Sequence, residues 1–274
     1  MNSRRLGTLV SALAAGLMAA ALLAPAAFAT TPAKGYEAFA GCPSPAENPS
    51  VVLCVNTKIK SGHFQMGSKD VPITKTMTLS GGTDPLGNFF ASPAGGLSKA
   101  KQKVPGGVIG LTGLTWLAEF LGIEALTLYA TTELAGQPGR LGEDPLTLPI
   151  RVHLENSALG SKCYVGSFTN PIVLHLTAGT TSPPPPNTPI SGHSPTSIEE
   201  TTNPQVVHVN DAELVDNSFS APGANGCVLT LFGFIPISIN GLVNEQSGLP
   251  AAAGTNETKQ VQDLEFSFPS VVYP

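Results

Sequence analysis

One short pattern constrains this chain more than any other. Gly67-Ser68 is followed by three free positions, then Pro72-Ile73, then an alternating stretch closed by glycine and threonine; Gly166-Ser167 leads through Pro171-Ile172 to a second such stretch. A glycine-led turn followed by a proline that opens an alternating segment describes a turn feeding a β-strand, since a missing amide is tolerated at a strand start. Further alternating segments lie at Val51 to Val55, His63 to Met66, Leu126 to Leu134, Leu148 to Leu154, Cys163 to Val165, Gln205 to Val209, Cys227 to Phe232, Pro236 to Ile239 and Leu264 to Phe268. Short strands separated by turn residues at this spacing predict an all-β fold, an antiparallel sandwich. The echo between the two Gly-Ser turns predicts pseudo-repeated halves, 55–140 and 161–220, the first carrying a helix as an insertion.

That helix is expected over Val108 to Leu126, where Leu114, Leu117, Ala118 and Leu121 fall at helical spacing and Trp116 and Phe120 widen the stripe. Its acids Glu119 and Glu124 argue against a membrane span, because a carboxylate near mid-bilayer is costly. A short helix covering a sheet end is the plainer reading; an apolar docking surface at Leu114, Trp116, Leu117 and Phe120 is the sharper one. Two long Gly/Pro-rich loops complete the plan, Ser80 to Gly107 and Ser182 to Pro204. In the second, the four prolines Pro183 to Pro186 favour an extended polyproline segment.

The first 29 residues have the form of a signal peptide. Arg4 and Arg5 precede an apolar run from Leu6 to Leu23, and Ala27-Phe28-Ala29 is a small-residue cleavage site. Residues 30–274 are then one exported domain with no transmembrane segment, extracellular or loosely held at the cell envelope. Removing the leader takes away two arginines and no acid, which leaves 12 basic against 19 acidic residues, a formal charge of −7. Nucleic acid is a poor partner for such a surface. The charged fraction, 12%, is about half that of ordinary soluble domains, so hydroxyls, amides and backbone must supply much of the wetted surface.

All four cysteines lie beyond the leader, and an even number in an exported chain predicts disulfides. Three pairings are open; Cys42 with Cys54 and Cys163 with Cys227 is preferred, because Pro43 and Pro45 start a short loop and the later two cysteines share similar surroundings. Phe39-Ala40-Gly41-Cys42 resembles a lipoprotein box, but it stands too far beyond the apolar run.

Chemistry is sparse. His153, His175 and His208 each sit between apolar residues, so alternation places all three imidazoles away from the core. A register setting Leu154 beside Leu174 would bring His153 to His175 and let the pair share a zinc ion, against the plainer reading of a polar sheet face that happens to carry histidines. Asp211, Glu213 and Asp216, with Asn210 and Asn217, form an oxygen-rich run suited to calcium, although it lacks the glycine and spacing of a known loop. There is no Gly-x-Ser-x-Gly, no His-Glu-x-x-His and no phosphate-cradling loop. Asn256-Glu257-Thr258 fits a glycosylation acceptor.

The leader, the Ala, Gly, Pro and Thr bias, the Gly-Ser-x-x-x-Pro-Ile turns and Leu249-Pro250-Ala251-Ala252-Ala253-Gly254 together resemble uncharacterised secreted proteins of high-GC Gram-positive (actinobacterial) bacteria. The resemblance implies export and a β-rich body and carries no activity. The functional expectation is a secreted non-catalytic protein, binding or structural, with an extracellular or envelope ligand and no cofactor. The alternative is a secreted hydrolase whose site is assembled from distant residues.

Overall fold

A computed structural model describes residues 31–115, 126–156, 159–231 and 234–274. Two antiparallel sheets dominate it. The larger contains β1 (Leu53–Met66), β2 (Lys69–Pro72), β3 (Met77–Thr83), β4 (Phe89–Phe90), β5 (Gly96–Leu97), β11 (Ser197–Thr202), β12 (Gln205–Asp216) and β16 (Glu257–Ser267). Its order is β11-β12-β16-β1-β3-β4, with β2 alongside β1 and β5 alongside β3. The smaller contains β6 (Lys101–Lys103), β7 (Tyr129–Leu134), β8 (Leu146–Glu155), β9 (Tyr164–Val165), β10 (Ile172–Leu176) and β13 (Ala224–Asn225). Its order is β13-β9-β8-β7-β6, with β10 beside β8. A separate hairpin pairs β14 (Val228–Leu231) with β15 (Ile235–Ser238).

The sheets face each other because their strands alternate. In β8, Leu148, Ile150, Val152 and Leu154 are buried while Arg151, His153 and Glu155 are only half so. Leu174 and Leu176 of β10 join them, and Phe64, Met66, Leu79 and Leu214 come from the larger sheet into the same core. Each fully buried side chain of this kind contributes roughly 1.5–3 kcal/mol. A bridge between Thr177 and Val215 joins the sheets along one edge. Residues Thr31–Pro274 form one unit.

A second, small core sits on the outer face of the larger sheet, where Phe39, Cys42, Val51, Cys54, Val206 and Val272 are buried together. The Cys42–Cys54 disulfide ties the segment before β1 to that strand, and the Tyr273 hydroxyl donates to the Cys42 carbonyl at 2.7 Å. Cys163–Cys227 ties the start of β9 to the start of β14. Both are the preferred pairs, and Cys42 is a disulfide partner.

Several elements differ from the sequence expectation. β1 is one strand where two were expected, with a bulge between Ile59 and Ser61. Gly62 makes this close pairing feasible: at φ +122°, a Cβ there would lie 1.8 Å from the Lys259 carbonyl. Of the helix expected from Val108 to Leu126, the described residues show α1 (Gly107–Thr112), which ends at Gly113 in the left-handed region at φ +71°. Residues 116–125 lie outside the described residues, and with them Trp116, Leu117 and Phe120; Leu114 is half-buried against the main core. An unexpected helix, α2 (Asn240–Ser247), buries Val243 and ends at left-handed Gly248. The proline run turns at Pro185 and Pro186, where the Asn187 amide donates to the Gly254 carbonyl. Among the described residues no helix is long and apolar enough to cross a membrane.

The two Gly-Ser turns also part company. Gly67-Ser68 closes the β1–β2 hairpin and reverses the chain. After Gly166-Ser167 the chain keeps its direction, since β9 and β10 lie one after the other along the same side of β8. The shared pattern is therefore turn chemistry used in two topologies, and the halves 55–140 and 161–220 do not pair alike.

Candidate binding site between the sheets

The outward histidines are where alternation places them, but they do not converge. His153 lies opposite Thr131 of β7 and Tyr164 of β9, its ring stacked on the tyrosine at 4.3 Å between centroids. β9 occupies the place beside Val152 and His153, so β10 is displaced along β8 until Leu174 meets Leu148 and His175 meets Thr147. The six-residue offset from His153 to Thr147 is about 20 Å along a strand. His208 belongs to the other sheet, its Nδ1 3.5 Å from Glu265. Among the described residues no three His, Cys, Asp or Glu side chains come together to hold a metal ion.

The acids suggested for calcium are also held apart. β12 bulges after Val209, which puts Asp211 in the left-handed region at φ +55° and its carboxylate 2.7 Å from Lys60 Nζ. Glu213 pairs with Lys259 at 2.9 Å. Asp216 is fully buried: it accepts from the His175 amide at 2.7 Å on one oxygen, and from the Ser218 amide and hydroxyl at 2.8 and 2.7 Å on the other. Asn256 is equally buried, with Oδ1 accepting from the Gly67 amide and Nδ2 donating to the carbonyls of Phe219 and Ala252. Its amide fixes a turn and is closed to glycosylation in the folded chain.

Both outer sheet faces carry such committed charges. On the larger sheet, burial would raise the Glu265 carboxyl, but hydrogen bonds from Lys58 at 2.7 Å and Asn56 at 2.9 Å outweigh it and hold the group below its ordinary range. Asp263 is lowered against its own burial by Lys60 and by the Asp211 amide. Lys60 is raised by hydrogen bonds to Asp211 and Asp263. On the smaller sheet, Glu155 is lowered against burial by Lys101 and the Thr131 hydroxyl. Arg151 donates to Glu133 while its guanidinium carbon lies 4.3 Å from the Tyr164 ring centroid and 3.9 Å from that of Phe168.

A small space is left between the sheets, and wider grooves lie outside them. A slot of ≈ 60 Å³ runs between the sheets, walled by Val55, Thr57 and Ile59 of β1, Leu79 and Thr83 of β3, and Gln260, Gln262 and Leu264 of β16. Across from them stand Leu146 and Leu148 of β8 and Leu176 of β10, with Leu97, Pro138 and Leu141 at the loop end. Val55 to Ile59 spans about 13 Å of strand. The described lining contains no Asp, Glu, Lys, Arg or His. Phe89 and Pro138 also line a wider groove of ≈ 530 Å³ outside, with Pro43, Glu47, Phe90, Pro93 and Gln137 among its walls. The Phe89 ring rests against Gly81, where even a methyl group would meet it at 2.4 Å.

Gln260 is the chemically telling residue. It is 3% exposed, and its amide nitrogen donates to Thr258 Oγ1 at 3.3 Å, yet its Oε1 has no hydrogen-bond partner. Buried polar atoms are nearly always satisfied, so such an acceptor signals strain or function. Sequence reasoning missed this strand, reading only Leu264 to Phe268 as β. The available signal was a period-two contrast of neutral against charged groups: Thr258, Gln260 and Gln262 alternate with Glu257, Lys259 and Asp263 around Val261.

Comparison with family models, with curated proteins and with solved structures finds no match to this chain.

Proposed function

We propose that the chain is an exported, non-catalytic protein of the extracellular space or cell envelope that binds a small uncharged molecule between its sheets. The observation that carries this reading is the division of the side chains. Asp211, Glu213 and Asp216 are spent on ion pairs and backbone contacts, while the slot is walled by leucine, proline, phenylalanine, threonine and uncharged amides, and the groove carries one acid, Glu47. General acid–base or nucleophilic chemistry needs titratable groups converging on a pocket; recognition of an apolar ligand needs apolar walls with a few placed polar atoms. Two disulfides and the leader fit an oxidising, exported setting.

Titration of the exported, leucine-methyl-labelled protein with xenon, a neutral apolar probe small enough for a slot of ≈ 60 Å³, tests it. Saturable methyl shifts that disappear in Leu141→Trp, which blocks the loop end of the slot, are the expected result. No saturable binding would overturn the reading. An ester recovered hydrolysed from the protein would favour the secreted hydrolase instead. Amino-terminal sequencing of the exported chain is expected to begin at Thr30.

A further inference from the structure

We infer that Asn225 is a site of covalent self-modification, where the Gly226 amide nitrogen displaces ammonia from the asparagine side chain to give a succinimide, which water opens to an aspartyl or isoaspartyl residue. The chain contains two Asn-Gly pairs, Asn225-Gly226 and Asn240-Gly241. A following glycine favours the reaction in both, because its nitrogen approaches the side chain with no Cβ to hinder it. The fold treats the two pairs differently.

Asn225 is exposed at the end of β13, a two-residue strand at the edge of the smaller sheet. β13 pairs with β9 through Ala224 and Asn225, and the Gly226 amide donates instead to Asn225 Oδ1 at 2.7 Å. The side-chain carbon is one bond from that oxygen, so the attacking nitrogen stands no more than about 3.9 Å from it. Asn240 Nδ2 donates to the same Oδ1 at 3.3 Å. This oxygen becomes negative as the nitrogen adds, so the donor sits where the developing charge needs it. Packing keeps glycine next in the chain: Gly226 has φ +71°, and a Cβ there would lie 2.1 Å from the Lys162 carbonyl oxygen. Asn240 is protected by the same contacts. Its Oδ1 accepts from the Cys227 amide at 2.8 Å while its Nδ2 reaches Asn225, and turning its side chain toward Gly241 would break both bonds.

The chemistry balances with water alone. The Gly226 nitrogen gives its proton to hydroxide and bonds to Asn225 Cγ, the Cγ–Nδ2 bond breaks, and ammonia leaves with a proton taken from water. Water then adds to either imide carbonyl and breaks one C–N bond; nothing is oxidised or reduced. The product carries a new negative charge and, in its isoaspartyl form, an extra main-chain carbon where Asn225 pairs with Tyr164, two residues before the disulfide at Cys227. The change needs no enzyme and accumulates with time.

The test is peptide mapping by mass spectrometry of the exported, disulfide-intact protein after incubation in warm, mildly alkaline buffer, with digestion in acid so that handling adds no reaction. Conversion of Asn225 to aspartyl and isoaspartyl forms is expected, at least tenfold faster than at Asn240. In the reduced, unfolded chain the two pairs are expected to react at similar rates. Asn240→Ala is expected to slow conversion of Asn225 roughly two- to tenfold, the worth of one hydrogen bond. An unmodified Asn225, equal rates at the two positions in the folded chain, or the same preference in the unfolded chain would each overturn the inference. An unchanged or faster rate in Asn240→Ala would overturn the donor's role, and the comparison of the two positions in the unaltered chain stands whether or not that variant folds.

Discussion

The two faces of strand β16 obey opposite rules. Outward, Lys259, Asp263 and Glu265 each meet an opposite charge: Glu213, Lys60 and Lys58. Inward, Gln260 and Gln262 carry no charge, and the Gln260 carbonyl has no partner. Along this strand, therefore, charge is committed to holding neighbouring strands in register, and the acceptor without a partner, Gln260 Oε1, lies on the other face; elsewhere Ser80 Oγ, His153 Nε2 and Ser247 Oγ are also buried without a partner. The contrast is what supports the binding reading proposed above: a buried acceptor without a donor is the group with most to gain from a ligand's proton.

Four predictions press on that contrast. The largest effect is expected at Asp216, the most deeply committed acid: Asp216→Asn sets an amide NH₂ against donors now bonded to a carboxylate, and should lower the unfolding free energy by about 3 kcal/mol in urea denaturation. Glu265→Ala comes next, at about 2 kcal/mol, because Lys58 and Asn56 both lose their acceptor. A loss under 0.5 kcal/mol at both positions would break the claim that carboxylates bonded within the fold hold it together.

Acid should act in the same direction. Glu265 and Asp263 have lowered pKa values in the folded chain, so their stabilisation is fully present above the ordinary carboxylate pKa of about 4 and is lost as the pH falls through the lower folded value. Melting temperature should thus be level above about pH 5 and drop below about pH 4, with a shallower drop in Glu265→Gln. Lys60 has the opposite sign: its raised pKa gives stabilisation present below its ordinary value and lost only in strong alkali. The smallest effect belongs to the inward face. Gln260→Met removes a buried acceptor that lacks a partner, so stability should change by less than about 1 kcal/mol and can rise.

Local chemistry made part of this molecule readable in advance. Alternation placed His153 and His175 on outward faces correctly, and the even cysteine count with Pro43 and Pro45 led to both disulfides. Register was another matter. Nothing near His175 in the chain reveals that β9 takes the place beside His153, because that pairing joins segments whose order depends on the whole sheet. The two Gly-Ser turns lead to different pairings for the same reason: a turn's residues specify its bend, and its pairing partner decides whether the chain reverses. α1 ends at Gly113 although the apolar stripe continues, since a left-handed glycine stops a helix whatever its periodicity. The slot was hidden because its polar end is built from amides, and Thr258, Gln260 and Gln262 look like a loop to any reading that equates inward with apolar.

The central claim is tested most directly by one paired measurement, the affinity for xenon in Leu141→Trp and in Glu265→Gln. The account predicts lost binding in the first, whose side chain fills the loop end of the slot, and unchanged binding in the second despite its lower stability. Unchanged binding in Leu141→Trp with weakened binding in Glu265→Gln would contradict it, and would move the site from the space between the sheets to the charged outer face.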